Sequence, residues 1–263
     1  MKQIITPIAL LIALVMAMPT AASIFMYDDA NDLDTAVKQD WDASAELGLL
    51  FTSGNTDTQT LRSKLSAARD YENWRHKGAI DYYRAKQKNQ TTGISTTTGD
   101  KLFLSAQSNY KFSPTSRSSI FVFSSYEEDR FSGYDYHGTV AVGYGARYRY
   151  NQTLFADYEI GPGYSINKPI INGVMQEQET SAILRVAGNL VWDVSSTSKF
   201  NALAATEIGE LNTKSRAEVS ISANINSSLA LKFSISGTHN SYLDDPSKEK
   251  LDTETAVTLV YSF

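Results

Sequence analysis

The sequence predicts an all-β fold, a single 12-stranded antiparallel transmembrane β-barrel of the outer-membrane type. Three observations predict it: long runs in which apolar and polar residues alternate, aromatic residues at the ends of these runs, and an export signal at the amino terminus. Successive side chains leave a strand on opposite sides, so strict alternation indicates strands with two unlike faces. Many runs exceed the average of about 5–6 residues in a strand and reach the roughly 9–11 that a tilted strand needs to cross a bilayer.

The clearest run spans residues 136–150, YHGTVAVGYGARYRY. Its even positions are apolar, with tyrosines at both ends, whereas its odd positions are small, polar or basic and include Arg147 and Arg149. An apolar face that ends in tyrosines suits a lipid belt between two headgroup layers. The opposite face suits a wet barrel interior.

The amino-terminal region predicts export. Residues 1–22 have a charged start at Lys2, an apolar core and small residues up to a cleavage site after Ala22, which together are typical of a signal peptide. The apolar core is short for a membrane span, so an uncleaved anchor is the less favoured alternative. Residues 23–40 are acidic and do not alternate, which predicts a short periplasmic segment before a barrel of residues 41–263.

Composition excludes several classes of function. The formal net charge is −5, and no lysine or arginine block points to nucleic acid, so we expect no nucleic-acid partner. His76 and His137 have no carboxylate or histidine at the spacing of metal ligands, so we predict neither a metal site nor a cofactor. The chain has no cysteine. Its mean hydropathy is −0.29, and no apolar stretch after the amino-terminal one is long enough for a transmembrane helix.

Twelve predicted strands follow one another to the carboxyl terminus. Two positions depart from simple alternation: Pro162 predicts a bulge or bend, and the apolar run Ile120 to Phe123 leaves the register of the fifth strand open. The approximate predicted bounds are 41–51, 58–71, 74–86, 100–112, 118–129, 136–150, 154–165, 181–192, 200–208, 217–225, 229–238 and 253–263.

The connections support the barrel over a secreted β-sandwich, which also alternates. All the long predicted loops, 87–99, 167–178 and 242–250, fall at one end, whereas the opposite end has short turns, as in outer-membrane barrels. The same assignment of strand ends places many aromatic residues at the short-turn, periplasmic rim. These residues are Trp41, Tyr71, Trp74, Tyr110, Phe112, Tyr148, Tyr150, Trp192, Phe200, Tyr261 and Phe263.

Three motifs carry a resemblance to a known family. The segments ELGLLFTSGNTDTQ (residues 46–59), DRFSGYDY (129–136) and GPGY (161–164) resemble the salt-induced outer-membrane protein family, domain of unknown function 481. The resemblance implies a barrel in the outer membrane of a Gram-negative bacterium, without an established biochemical role. The terminal Phe263 resembles the signal by which the barrel-assembly machinery recognises such proteins. We therefore expect that machinery, outer-membrane lipid and lipopolysaccharide as partners.

The predicted interior leaves the function open. Twelve strands lie between eight-stranded barrels, whose interiors are filled, and sixteen-stranded porins, so a narrow channel and a plugged lumen both fit. About ten basic and seven acidic residues face inward, which is typical of a narrow, porin-like channel for small, anionic solutes. A structural or stress-related envelope barrel, whose lumen is filled by a salt-bridge network, is the alternative that the same residues leave open. The predicted lumen-lining residues are Arg62, Lys64, Asp81, Arg147, Arg149, Asp157, Glu159, Arg185, Glu218 and Lys232.

An enzyme is the third alternative. His239 and Ser241 fall near the outer end of the eleventh predicted strand, where an outer-membrane phospholipase-like hydrolase would place its site. A nucleophilic serine needs a base within hydrogen-bond reach and a third group that orients the base, and the sequence suggests only the first two. We therefore predict no catalytic residues and no enzymatic activity.

Overall fold

The computed structural model describes residues 41–52, 57–88, 93–129 and 131–263. The predicted signal peptide and the acidic segment after it lie outside these residues, as do residues 53–56 between the first two predicted strands. No helix in the described part of the chain is long and apolar enough to span a bilayer.

The described residues form twelve long strands and one strand of two residues. The strands are β1 (Trp41–Thr52), β2 (Asp57–Asp70), β3 (Trp74–Lys88), β4 (Ser95–Lys111), β5 (Ser118–Asp129), β6 (Tyr134–Arg149), β7 (Leu154–Ile171), β8 (Val174–Met175), β9 (Glu179–Ser195), β10 (Ser198–Gly209), β11 (Thr213–Asn224), β12 (Leu229–Asn240) and β13 (Leu251–Ser262).

The twelve long strands close into an antiparallel barrel, which confirms the predicted fold. Each long strand pairs with its neighbour in the chain, β7 pairs with β9, and β1 pairs with β13 to complete the ring. The ladder of this closing pair runs from Ser44 opposite Ser262 to Leu47 opposite Leu259, and the amide of Phe263 donates to the carbonyl of Ala43 at 2.9 Å. This ladder covers four positions on each strand, so the ring is closed at its short-turn end. Pairing within a closed ring satisfies backbone groups where water is absent.

The two faces of the strands differ as alternation predicts. On β6, Val140 and Tyr148 are 56% and 52% exposed and point away from the lumen, whereas Thr139 and Arg147 are buried. Outward leucine, valine, isoleucine and tyrosine side chains recur around the ring. An apolar belt of this size would be unfavourable in water, and lipid is the solvent that suits it.

Aromatic pairs mark the short-turn end of the barrel. Trp74 packs edge-on against Tyr110 with centroids 5.1 Å apart, and Trp192 packs against Phe200 at 6.5 Å. Tyr148 with Tyr150 and Tyr261 with Phe263 form further pairs at this end. Aromatic girdles lie at both interfaces of outer-membrane barrels, and Tyr126 with Tyr136 forms a pair at the opposite end. Short turns are typical of the periplasmic side, so we assign the short-turn end to that side.

Several strands extend further at the outer end than the sequence predicts. β3 continues to Lys88 and β4 begins at Ser95, which removes most of the loop predicted over residues 87–99. β7 continues to Ile171 and forms a small hairpin with β8 inside the loop predicted over residues 167–178. The extensions of β3 and β4 are polar or small, so alternation gives no signal there. The extension of β7 ends in Ile170 and Ile171, which are adjacent and do not alternate.

The prediction at Pro162 was a bulge or a bend. No residue is inserted there, because Ala141 lies opposite Gly163 and Tyr144 opposite Ile160, but the β6–β7 ladder is interrupted between these two pairs. Pro162 lies opposite Leu184 of β9. The two backbones come unusually close nearby: a Cβ atom added to Gly143 would lie 2.2 Å from the carbonyl oxygen of Ile160.

Candidate functional site

The barrel encloses a cavity of about 500 Å³ that is lined by charged side chains. The wall carries more acidic than basic groups, so the predicted excess of basic over acidic residues is wrong for the cavity. The acidic residues are Glu46, Asp81, Asp100, Glu127, Asp129, Asp157, Glu159, Glu207, Glu218, Asp252 and Glu254, and the basic residues are Arg62, Lys64, Lys77, Lys101, Arg185, Lys199, Lys214, Arg216 and Lys232.

One ion-pair network occupies the middle of the lumen and is organised around Arg62 of β2. Its guanidinium contacts Asp81 at 3.2 Å, Glu254 at 2.8 Å and Glu218 at 3.8 Å. Lys232 joins the network, 3.1 Å from Glu218 and 3.3 Å from Glu46. Lys64 lies on the same inward face of β2, opposite Asp81. Because Arg62 and Glu218 come from strands four places apart in the ring, these contacts span part of the lumen.

A second network crosses the outer half of the lumen at Glu127 of β5. Lys214 and Arg216 of β11 approach this carboxylate at 3.1 and 3.7 Å, and Lys101 of β4 approaches it at 3.4 Å. β5 and β11 are five places apart in a ring of twelve strands, so they stand on nearly opposite walls. The side chain of Glu127 is only 6% exposed. The barrel is therefore bridged by ion pairs from wall to wall.

Alternation did not predict an inward position for Glu127, Lys214 or Arg216. The strand that corresponds to β11 was predicted to begin at Ala217, but β11 starts at Thr213, so Lys214 and Arg216 continue the inward parity of Glu218. The register of β5 was open in the prediction, so Glu127 had no assigned face. The alternation already visible from Glu218 onwards could have identified both basic residues.

A hydrogen-bonded group lies next to this bridge. Glu207 of β10 accepts from the Thr139 hydroxyl at 2.8 Å and lies 3.1 Å from Nε2 of His137. Closer to the middle, Glu159 of β7 accepts from the Gln107 amide at 2.5 Å. No cluster of three or more histidine or carboxylate side chains in the described ranges could hold a metal ion.

One wall of the lumen is apolar, which resolves the register of β5. Phe121 and Phe123 point inward and pack with Ala141 of β6, whereas Val122 points outward and is 53% exposed. Phe155 and Val191 form a second buried pair on β7 and β9 in the same wall. The interior is therefore only partly polar, because neighbouring inward positions on four strands carry apolar side chains.

A salt bridge lies beside this apolar wall at the periplasmic end. Arg147 donates to both carboxylate oxygens of Asp157, at 2.6 and 2.9 Å, and its guanidinium lies over the ring of Phe155. Arg149 is also away from the cavity wall, and its Nε and Nη2 are buried without a hydrogen-bond partner in the described residues. The structure thus places eight of the ten predicted lining residues on the cavity wall and these two arginines below it.

Arg185 of β9 lies in the cavity wall without a direct ion pair among those described. Its guanidinium stacks on the ring of Phe123, 3.9 Å from the centroid. Its Nε and Nη1 are buried and have no hydrogen-bond partner. Asn189, four residues further along the same face, is also buried with both amide atoms unpartnered. Unsatisfied buried polar groups are unusual in folded proteins, so these two residues stand out.

A strap of residues 241–250, between β12 and β13, spans the outer mouth. Asp245 in the strap accepts from the amide of Asn172, which follows β7, at 3.2 Å. Leu243 is 8% exposed and lies against Gly133, which precedes β6. β13 and β6 are six places apart in the ring, so the strap connects opposite sides of the opening.

The serine of the hydrolase alternative supports this strap. The Ser241 hydroxyl donates to Oδ1 of Asn212 at 3.1 Å and accepts from the amide of Thr213 at 2.8 Å. Oδ1 of Asn212 also accepts from the amide of Tyr242. These contacts fix the start of the strap on the β10–β11 turn, and they give Ser241 a structural role.

The barrel is similar to solved outer-membrane structures. The COG4313 outer membrane channel from Pseudomonas putida F1 superposes with a TM-score of 0.51 at 10% identity, covering 90% of this chain and 100% of that one. The translocator domain of autotransporter NalP from Neisseria meningitidis gives a TM-score of 0.47 at 12% identity, covering 85% of this chain and 86% of that one. The similarity to the COG4313 channel is a similarity of fold.

Sequence comparison identifies the family. The chain is similar to the uncharacterized protein YdiY of Escherichia coli (strain K12), with 24% identity over 231 residues that cover 88% of this chain and 86% of YdiY. The model of the family described as "Protein of unknown function, DUF481" matches residues 45–263. The chain therefore belongs to the DUF481 family and is a β-barrel of the bacterial outer membrane.

Proposed function

We propose that the protein is a narrow channel for small solutes, closed at rest by ion pairs across its lumen and by the strap over its outer mouth. The observation that carries this proposal is the charged cavity of about 500 Å³ inside the closed barrel. A barrel built only for mechanical support can fill its interior with apolar side chains, whereas charged groups in a cavity retain water and can be exchanged for solute contacts.

The closure at rest follows from the contacts around Glu127. A solute that passes between β5 and β11 must separate Glu127 from Lys214 and Arg216. Separating buried ion pairs costs several kcal/mol unless water or solute replaces the partner, at roughly 3–5 kcal/mol for an uncompensated buried charge. Passage is therefore limited to small polar solutes that can themselves bond to these groups.

The strap is the second barrier, and it can be tested by conductance. Purified protein in planar bilayers is expected to give discrete, small current steps. Asp245→Asn is expected to raise the fraction of time spent open, because asparagine keeps only one of the two acceptor oxygens that bind Asn172 and Ser247. Asp244→Asn removes a neighbouring strap carboxylate and is the matched control. Silence of the wild type and of Asp245→Asn would contradict the proposal.

A structural envelope barrel is the second candidate, favoured by the wall-to-wall ion pairs themselves. Such a network stiffens the barrel and fills the lumen without any need for transport. On this alternative, loosening the strap changes stability but not conductance. For either role, we propose no enzymatic activity, and we propose outer-membrane lipid and lipopolysaccharide as the surroundings of the outward face.

A further inference from the structure

Arg185 is buried in the cavity wall, and its positive charge forms no direct ion pair among those described. The residue is 6% exposed, and its Nε and Nη1 have no acceptor within the part of the chain that the structure describes. The carboxylates whose charges act on it, Glu159 and Glu207, are engaged by Gln107 and by His137 respectively. A buried guanidinium without acceptors is costly, so this position is suited to an anion that arrives through the lumen.

One face of the Arg185 guanidinium is covered by the ring of Phe123. Gly161 lies opposite Arg185 in the β7–β9 pair, so that neighbouring position carries no side chain. Arg185 lines the cavity wall, so a ligand would approach it from the lumen. Nε and Nη1 lie on different edges of the guanidinium, so each unpartnered N–H group can donate to a carboxylate oxygen at its own edge. A guanidinium edge matches a planar carboxylate better than a point charge does.

Asn189 adds a second recognition point along the same strand. It lies four residues from Arg185 on the inward face, or about 13 Å at the rise of a strand. Its amide offers both a donor and an acceptor, and neither has a partner. Such an amide is suited to a hydroxyl group. Because the cavity wall is acidic overall, a ligand with several negative charges is disfavoured there.

We propose that Arg185 and Asn189 form a lumenal subsite for a small hydroxylated monocarboxylate. The carboxylate pairs with the edge of the Arg185 guanidinium, and a hydroxyl further along the molecule bonds to Asn189. This subsite rests on the proposed function, because it stands on the path that a solute would take through the barrel.

The test is a titration of the detergent-solubilised protein with sodium D-gluconate at constant ionic strength. The wild type is expected to show a saturable rise in unfolding temperature, as for any ligand that binds only the folded state. Arg185→Met is expected to weaken this apparent affinity about tenfold or more, because a charged hydrogen-bond pair is lost. Arg149→Met is the matched control, since Arg149 also has unpartnered donors but lies away from the cavity wall, and it is expected to behave as wild type.

Other outcomes overturn the subsite. Absence of saturation in the wild type, or equal loss in Arg185→Met and Arg149→Met, contradicts it. Inorganic phosphate is the second probe, and stabilisation by phosphate without stabilisation by gluconate contradicts the carboxylate assignment. If Arg185→Met does not fold, Arg185→Lys replaces it, and the Arg185 Nε–H signal of the wild type must shift during the gluconate titration.

The subsite and the channel fail in different ways. Gluconate binding that depends on Arg185 in a protein that never conducts supports the subsite and contradicts the channel. Conductance without Arg185-dependent gluconate binding contradicts only the subsite.

Discussion

Glu127 on β5 and Lys214 on β11 form an ion pair across the lumen, with Nζ and Oε1 3.1 Å apart. The two residues are 87 positions apart in the chain, and their strands stand on nearly opposite walls of the barrel. Arg216 and Lys101 approach the same carboxylate. A single buried acidic group thus joins three cations from two walls.

Loss of the Glu127 charge is expected to destabilise the barrel. Glu127→Gln leaves three cations close together without their shared carboxylate, which corresponds to about 3 kcal/mol or more in the free energy of unfolding. The measurement is a urea titration followed by the heat-modifiable mobility of the folded barrel. Glu249→Gln, in the exposed part of the strap, is the control, and equal midpoints for the two variants would contradict the role of Glu127.

The close approach of β6 and β7 predicts that Gly143 does not tolerate a side chain. An alanine Cβ would lie 2.2 Å from the Ile160 carbonyl oxygen, a backbone atom that cannot move without disturbing β7. We expect Gly143→Ala to lower the free energy of unfolding by about 1–3 kcal/mol, as overpacking does. In the control Gly138→Ala, the nearest atoms are 3.9 Å away. Equal urea midpoints for both alanine variants would show that the strands are not held this closely.

Docking of the strap is expected to weaken in acid. Hydrogen bonds from the hydroxyl and amide of Ser247, and then from the amide of Asn172, hold the pKa of Asp245 below its ordinary value near 3.8. Because the folded-state pKa is lowered, the contribution of Asp245 is fully present above about pH 4 and is lost as the pH falls through the lowered pKa. Hydrogen exchange of residues 241–250 should therefore speed up, relative to its intrinsic rate, below pH 4.

Two variants separate this effect from general acid loosening. Asp245→Asn is expected to show fast strap exchange already at pH 7, with little further change in acid, because it lacks the titrating group. Asp244→Asn is expected to keep the pH dependence of the wild type. A strap that exchanges equally in both variants at pH 7 would exclude Asp245 as its anchor.

The terminal phenylalanine is expected to matter for assembly. Phe263 packs edge-on against Tyr261 at the periplasmic rim, and its amide extends the closing β1–β13 seam. Deleting Phe263 is expected to lower the fraction of chain that reaches the folded, heat-modifiable form in the outer membrane. Phe112→Ala removes another rim aromatic away from the seam and is the control. Unchanged assembly after deletion would contradict this prediction.

Alternation predicted the membrane-spanning parts of the strands because lipid requires an apolar outward face there. It failed above the lipid belt, where Ser95 to Gly99 are polar or small yet pair with the end of β3. It was ambiguous at Ile120 to Phe123, where an apolar wall inside the lumen matches the lipid outside. Alternation cannot tell which face points inward in a strand segment that is apolar on both faces.

The partners of the lumenal charges could not be predicted from alternation. Which residues meet across the lumen depends on strand tilt, on stagger and on the position of the closing seam, all of which are set by the whole ring. Arg147 and Arg149 illustrate this: both have inward parity, yet they lie below the cavity wall. Arg185 has the same parity and lines the wall beside Phe123.

The most direct test of the account is the unitary conductance of Glu127→Gln/Lys214→Met in planar bilayers, measured beside the wild type. The double variant removes both charges of the cross-lumen pair, so it opens the constriction and leaves fewer unpaired cations than Glu127→Gln alone. The account predicts discrete steps in both proteins and a larger unitary conductance in the double variant. The account is contradicted if the folded double variant has the same unitary conductance as the wild type. It is also contradicted if neither protein conducts.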